Sequence, residues 1–145
     1  NMIVANTDIR RKLHGALRAT GYEELNTMAI AATKAVYKDG EAWLDALLSY
    51  LQENIRILGK ACTETDGGIS LIQPEGTYLM WLDCRRLGLS DMELADFFLH
   101  KAGVRLHSGT TFGAGGSGFV RMNIACPKSL LVKAITQIDN AIKSV

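Results

Sequence analysis

The 145-residue chain has few cysteines, no excess of either charge and no long apolar run. Its three cysteines, Cys62, Cys84 and Cys126, are an odd, scattered set without metal-ligand spacing. They read as reduced thiols of a cytoplasmic protein and exclude a disulfide framework. The histidines at 14, 100 and 107 form no close pair, so no zinc pattern and no metal site is expected. Sixteen basic residues stand against fifteen acidic ones, a net charge of +1. That balance gives no electrostatic case for nucleic acid or an anionic membrane as partner. No apolar stretch approaches the ~20 residues of a membrane span, and the first residues show no signal-peptide pattern. What is present, 48% hydrophobic and 21% charged residues, is the composition of one globular domain long enough for a real core.

Periodicity predicts five helices. Thr7 caps a first helix from Asp8 to about Ala19, with Ile9, Leu13, Ala16 and Leu17 on one face and Gly21 at its end. Asn26 caps a second, Thr27 to Tyr37, stopped by Asp39-Gly40. The third is the longest, from about Glu41 to Thr63, with an apolar stripe through Leu44, Leu47, Leu48, Leu51, Ile55, Leu58 and Cys62. Asp66-Gly67-Gly68 breaks the chain after it. A Ser90–Glu93 capping box opens a fourth helix to about Lys101, burying Met92, Leu94, Ala95, Phe98 and Leu99, and Gly103 caps its end. Pro127 starts the fifth, with Leu130, Leu131, Ala134, Ile135, Ile138 and Ile142 inward.

Short strands are expected at Ile69 to Ile72, Thr77 to Leu82, Val104 to Leu106 and from Phe119 onward. In the second, Tyr78, Met80 and Leu82 alternate against Leu79 and Trp81, so both faces read as mostly covered. The tally is α+β: a small sheet of short strands covered by helices, preceded by a long helix. Ile3-Val4-Ala5 reads as a strand end without its beginning, as in a chain cut inside a larger protein; a tag remnant at Asn1 fits the same letters.

The stretch that reads as a site is Leu106 to Pro127, a glycine-laden loop followed by Phe119-Val120-Arg121-Met122-Asn123-Ile124. Strand alternation puts Val120, Met122 and Ile124 on one face and Phe119, Arg121 and Asn123 on the other. An arginine beside an aromatic, after a flexible loop, suits a planar anion such as a carboxylate, whose two oxygens match the guanidinium's paired donors. The plainer role for Arg121 is a half-buried ion-pair partner. Gly113 to Gly118 spells G-x-G-x-x-G, yet it leads into a strand and not a helix, which excludes a dinucleotide-binding turn. Cys84 and Cys126 have no base placed beside them and read as core or edge thiols, so no catalytic residue is expected in the chain.

Three segments in register, Pro74 to Asp83 (PEGTYLMWLD), Gly103 to Gly113 (GVRLHSGTTFG) and Gly118 to Pro127 (GFVRMNIACP), resemble the C-terminal part of the class I/II aminotransferase-fold pyridoxal-phosphate enzymes. The branch resembled most is the cystathionine β-lyase, or C–S lyase, group. The resemblance implies that residues 1–145 form the small domain of a larger fold-type I enzyme, with the third helix linking it to a large cofactor-binding domain absent here. It implies that Arg121, in the F-V-R-x-N-I-A strand, binds the substrate's α-carboxylate. It further implies pyridoxal phosphate in the full-length enzyme, a homodimer when intact, and a lyase or aminotransferase acting on sulfur amino acids.

In that family the cofactor's lysine lies in a Ser-x-x-Lys-like segment, and none of the lysines at 12, 34, 38, 60, 101, 128, 133 and 143 does. The expectation is therefore a substrate-recognition domain, inactive alone and without bound pyridoxal phosphate. The alternative is a free-standing, non-catalytic α+β module that binds a small carboxylate or a protein partner. Separation from a large domain would expose apolar area near Trp43, Leu47 and Leu51 and near Tyr22 and Leu25. The segment from Tyr22 to Met28 would approach a neighbouring subunit's site, although a plain helix cap at Asn26 explains the same residues.

Overall fold

The computed structural model describes residues 3–21, 26–65 and 68–144, in two units, residues 1–45 and 46–145. Tyr22, Leu25, Asp66 and Gly67 lie outside the described residues. In the first unit α1 (Thr7–Ala19) begins one residue earlier than predicted, because Asn6 and not Thr7 is the cap. Asn6 has extended backbone, and its Oδ1 accepts from the amides of Asp8 at 2.9 Å and Ile9 at 3.1 Å. α2 (Thr27–Asp39) is capped by Asn26, whose Oδ1 accepts from the Ala29 amide at 2.7 Å. Gly40 then joins α2 directly to α3 (Glu41–Glu64); a Cβ there would meet the Val36 carbonyl at 2.4 Å. Neither α1 nor α2 buries a residue, and Ile9, Ile30, Val36 and Tyr37 are exposed. Residues 3–5 pair with no strand; Val4 instead gives its carbonyl to Arg10 Nη1 at 3.0 Å.

The second unit is organised on four antiparallel strands, β1 (Ser70–Ile72), β2 (Leu79–Asp83), β3 (His107–Ser108) and β4 (Phe119–Asn123), in the order β1-β2-β4-β3. Pairing aligns Leu71, Leu82 and Val120 on one face, and Met80 with Met122 on the same face. These residues meet Leu58 of α3, Leu94 of α4 (Asp91–Asp96), Phe97 and Phe98, and Leu131, Ile138 and Ala141 of α5 (Lys128–Ile142) to form the core. The architecture is the α+β one read from the sequence. Only one face is covered, however: Met80 and Leu82 are 0% and 1% exposed, whereas Leu79 and Trp81 are half-buried. No helix of the described residues is long and apolar enough to cross a membrane.

Several expectations shift for local reasons. The strand expected at 104–106 forms instead at 107–108. The Val104 amide is spent on the Phe98 carbonyl at 2.8 Å, closing the preceding helix, with Gly103 in the left-handed region at φ 65°. The capping box at Ser90 and Glu93 forms, but α4 gives way at Asp96 to a wide π-helical turn, Phe97–Lys101. The wide turn rotates the face within it, so that Phe97 is buried beside the expected Phe98 while Leu99 is 47% exposed; Met92, in the first turn of α4, is 85% exposed. The stripe of α3 is buried only in its second half, at Leu51, Asn54 and Leu58, while Leu44, Leu48 and Trp43 are exposed. On α5 Leu130 is exposed, because Leu131, Ile138 and Ala141 define the inner line.

A polar residue sits in this core. Asn54 is 0% exposed, and its Nδ2 donates to the carbonyls of Ile124 at 2.9 Å and Cys126 at 3.3 Å. It ties α3 to the chain leaving β4, the strand that carries Arg121.

Candidate functional site

The glycine stretch before β4 is folded rather than a flexible loop. It forms two 3-10 turns, Gly109–Phe112 and Ala114–Gly116, whose backbones touch. A Cβ on Gly116 would lie 2.0 Å from the Gly109 carbonyl oxygen, and one on Gly109 would lie 2.2 Å from that of Gly116. Only two glycines allow the turns to close this tightly. The exit is held from α4: Asp91 accepts from the Gly118 amide at 2.8 Å and from Ser117 Oγ at 2.9 Å. Gly118, at φ 76°, then passes under Arg85, whose Cγ would stand 2.5 Å from a Cβ there. No helix follows these glycines, so the dinucleotide pattern has none of the structure it requires.

The open face of the sheet is the site. Strand register sets Ile72, Trp81, Arg121 and His107 in one row across all four strands, with Ser70, Asp83 and Phe119 in the next. Arg121 is half-buried. Its Cζ lies 4.4 Å from the ring centre of Phe112, and its Nη2 is 3.3 Å from His107 Nδ1. Trp81 meets Phe112 edge-on and stacks on Phe119 at 16°, both at 5.7 Å between centres. At the far end Arg85 lies over Phe119 at 4.9 Å and forks onto Asp83, at 2.7 and 3.0 Å. That pair holds the Asp83 carboxyl below its ordinary range.

The two arginines thus differ. Arg85 is saturated by Asp83, whereas no carboxylate among the described residues pairs with Arg121. Among the described residues, then, Arg121 has no ion-pair partner. A half-buried guanidinium held by a ring and one imidazole nitrogen has N–H donors left for the oxygens of a ligand. Of its expected companions, Phe119 shares the face, while Asn123 turns its Oδ1 back to the Ala125 amide at 2.8 Å. Sequence reasoning missed Phe112, His107 and Trp81 as neighbours, since cross-strand register brings Trp81 and His107 beside Arg121 and the 3-10 turn after β3 brings Phe112. Asp91, 27 residues from Gly118, left no signal beyond its place in a first helical turn.

The thiols do no chemistry of this kind. Burial, then the charge of Asp83 and the proximity of Cys62, push Cys84 up to about 12, and burial raises Cys62 as well. No metal-binding cluster exists among the described residues. The strands' open face offers a guanidinium, an imidazole and aromatic rings but no lysine, and its one aspartate is taken by Arg85. This donor set fits a carboxylate. It does not fit covalent attachment of pyridoxal phosphate, whose lysine must come from elsewhere.

The chain is 35% identical over 133 residues, 92% of its length, to cystathionine β-lyase PatB of Bacillus subtilis (strain 168). It is 34% identical over 144 residues, 99% of its length, to protein MalY of Escherichia coli (strain K12). It superposes on cystalysin from Treponema denticola, a structure that contains pyridoxal 5'-phosphate, with a TM-score of 0.89 at 32% identity over 98% of the chain. Its relatives are pyridoxal-phosphate-dependent C–S lyases and aminotransferases. The fold is the one expected of the small domain of these fold-type I enzymes. The chain spans about a third of each of these three proteins: 34% of PatB, 37% of MalY and 36% of the cystalysin chain. No protein-family model matches it.

Proposed function

We propose that this chain is the C-terminal small domain of a cytoplasmic, pyridoxal-phosphate-dependent C–S β-lyase or aminotransferase acting on sulfur amino acids, and that Arg121 clamps the substrate's α-carboxylate. The observation that carries the reading is a half-buried arginine, held on its face and at one N–H, with no carboxylate of its own among the described residues. A charge-assisted bidentate pair fixes both the position and the rotation of the carboxylate, and so presents the Cα bonds in one orientation. The cofactor, as in cystalysin, belongs to the rest of the enzyme: the large domain supplies its lysine and phosphate contacts, and the intact enzyme is a homodimer. The chain alone therefore binds no pyridoxal phosphate covalently and has no lyase activity.

The test uses the intact enzyme with Arg121→Lys and Arg121→Ala, comparing an amino acid with its carboxyl-amide analogue. Lysine keeps the charge but loses the fork. Loss of one charge-assisted hydrogen bond costs about 1.5–3 kcal/mol, or roughly ten- to a hundredfold in kcat/KM. A wild type indifferent to the free carboxylate, or two variants with full kcat/KM, removes Arg121 from the site.

A further inference from the structure

Two neighbours of Arg121 hold its guanidinium, Phe112 and His107. We infer that Phe112 and His107 are positioning residues, which lock the guanidinium plane of Arg121 before a carboxylate arrives; the inference rests on reading Arg121 as the clamp. Asp83 tethers Arg85, in the turn after β2, by a two-bond fork. A tether of that kind would occupy the edge a ligand needs. Arg121 is held in another way. The ring of Phe112, its centre 4.4 Å from Cζ, restrains the guanidinium by a cation–π contact that places no carboxylate on its donors.

His107, the cross-strand partner of Arg121, takes a single N–H, Nη2 to Nδ1 at 3.3 Å. A guanidinium can only donate, so Nδ1 accepts and the imidazole proton sits on Nε2. The remaining donors stay available. Phe112 is itself braced, by the edge contact with Trp81 at 76° and by the Gly109–Gly116 contact that closes the turns on either side of it. It is 52% exposed, so core packing does not account for it. The glycine turns thus serve as a shelf that carries one ring to one arginine.

The experiment measures, in the full-length enzyme, the ratio of kcat/KM for an amino acid to that for its carboxamide. Phe112→Leu should lower the ratio about two- to fivefold, mostly through KM, and Phe112→Tyr should restore it. His107→Ala should lower it about fivefold. Because both residues act through the guanidinium, adding Phe112→Leu to Arg121→Lys should cost nothing further. If Arg121→Lys abolishes the preference while Phe112→Leu and His107→Ala leave it intact, the positioning inference falls and the clamp stands. If Arg121→Lys keeps the preference, the clamp falls and the inference with it. A readout independent of substitution is the proton spectrum of the unaltered chain, in which the Arg121 δ-methylene protons should be shifted upfield by the Phe112 ring; unshifted resonances overturn the contact.

Discussion

Replacing Asn54 by leucine tests how the strand that carries Arg121 is anchored. Asn54 is 0% exposed, donates to the Ile124 and Cys126 carbonyls at 2.9 and 3.3 Å, and leaves its own Oδ1 without a partner. Leucine keeps asparagine's branching but is larger, so some overpacking adds to the loss of the hydrogen bonds. Each buried carbonyl left without a donor costs about 1–3 kcal/mol. The Ile124 carbonyl, in a residue that is 0% exposed, carries the larger share; that of Cys126, half-buried and on the longer bond, carries less. Removing the orphaned Oδ1 returns one desolvation penalty of the same order. The net expected loss is about 1–3 kcal/mol, read as a fall of roughly 1 M in the urea midpoint at a slope near 2 kcal/mol per M. Asn54→Asp sharpens the test. An ionised carboxylate would face two carbonyl oxygens with nothing to donate, and burial would raise its pKa in the folded state. Stability of that variant is then greatest below the ordinary carboxylate range and is lost as pH rises through the raised value. An unchanged midpoint for Asn54→Leu, or an Asn54→Asp protein that gains stability as pH rises, refutes the reasoning.

Gly116→Ala should force the two glycine turns apart, since its Cβ would lie 2.0 Å from the Gly109 carbonyl oxygen. Overpacking of this kind costs about 1–3 kcal/mol, and amide shifts should spread to Phe112 and Arg121; an unperturbed spectrum would show that the turns are not closed by contact. Cys84, pushed up to about 12 chiefly by burial, should stay unreactive toward a thiol reagent at pH 8 while the half-buried Cys126 is modified. Labelling of Cys84 at the rate of a free thiol in folded protein contradicts this. Glu53, hydrogen-bonded by Arg56 and faced by Lys128, is held at about 2 against an ordinary 4.5. Its stabilising pairing is complete above the ordinary value and is lost as pH falls through about 2. Carbon NMR of the Glu53 carboxyl should show that midpoint, and a midpoint near 4.5 removes the pairing.

Local chemistry was legible wherever the partner lies within a turn of the residue. The Ser90–Glu93 box and the Asn26 cap each answer to amides three positions away, and the αL glycine at 103 ends the helix just before it. The α+β layout and the outward placement of Arg121 were legible too, because strand alternation has a strict period of two. Even here neighbours competed: Asn6 and Thr7 are both capping residues, and only backbone geometry chose Asn6.

Tertiary structure decided the rest, and for one reason: contacts between distant positions depend on register and spacing that no local pattern encodes. Helical periodicity placed Leu94 and Phe98 in the core correctly, but a π-helical turn put Phe97 there in place of Leu99, and Met92 is exposed. Six glycine-rich letters read as flexibility, until Gly109 and Gly116 proved to be each other's packing partners. Arg121 could be singled out as a candidate from its strand, and given a role only through the family resemblance. That it faces His107 follows from how β3 and β4 align, and that it faces Phe112 from the 3-10 turn between them; no carboxylate among the described residues takes its donors. Asn54, an ordinary polar letter in an apolar stripe, is buried because the carbonyls of Ile124 and Cys126, seventy residues or more away, end up beside it.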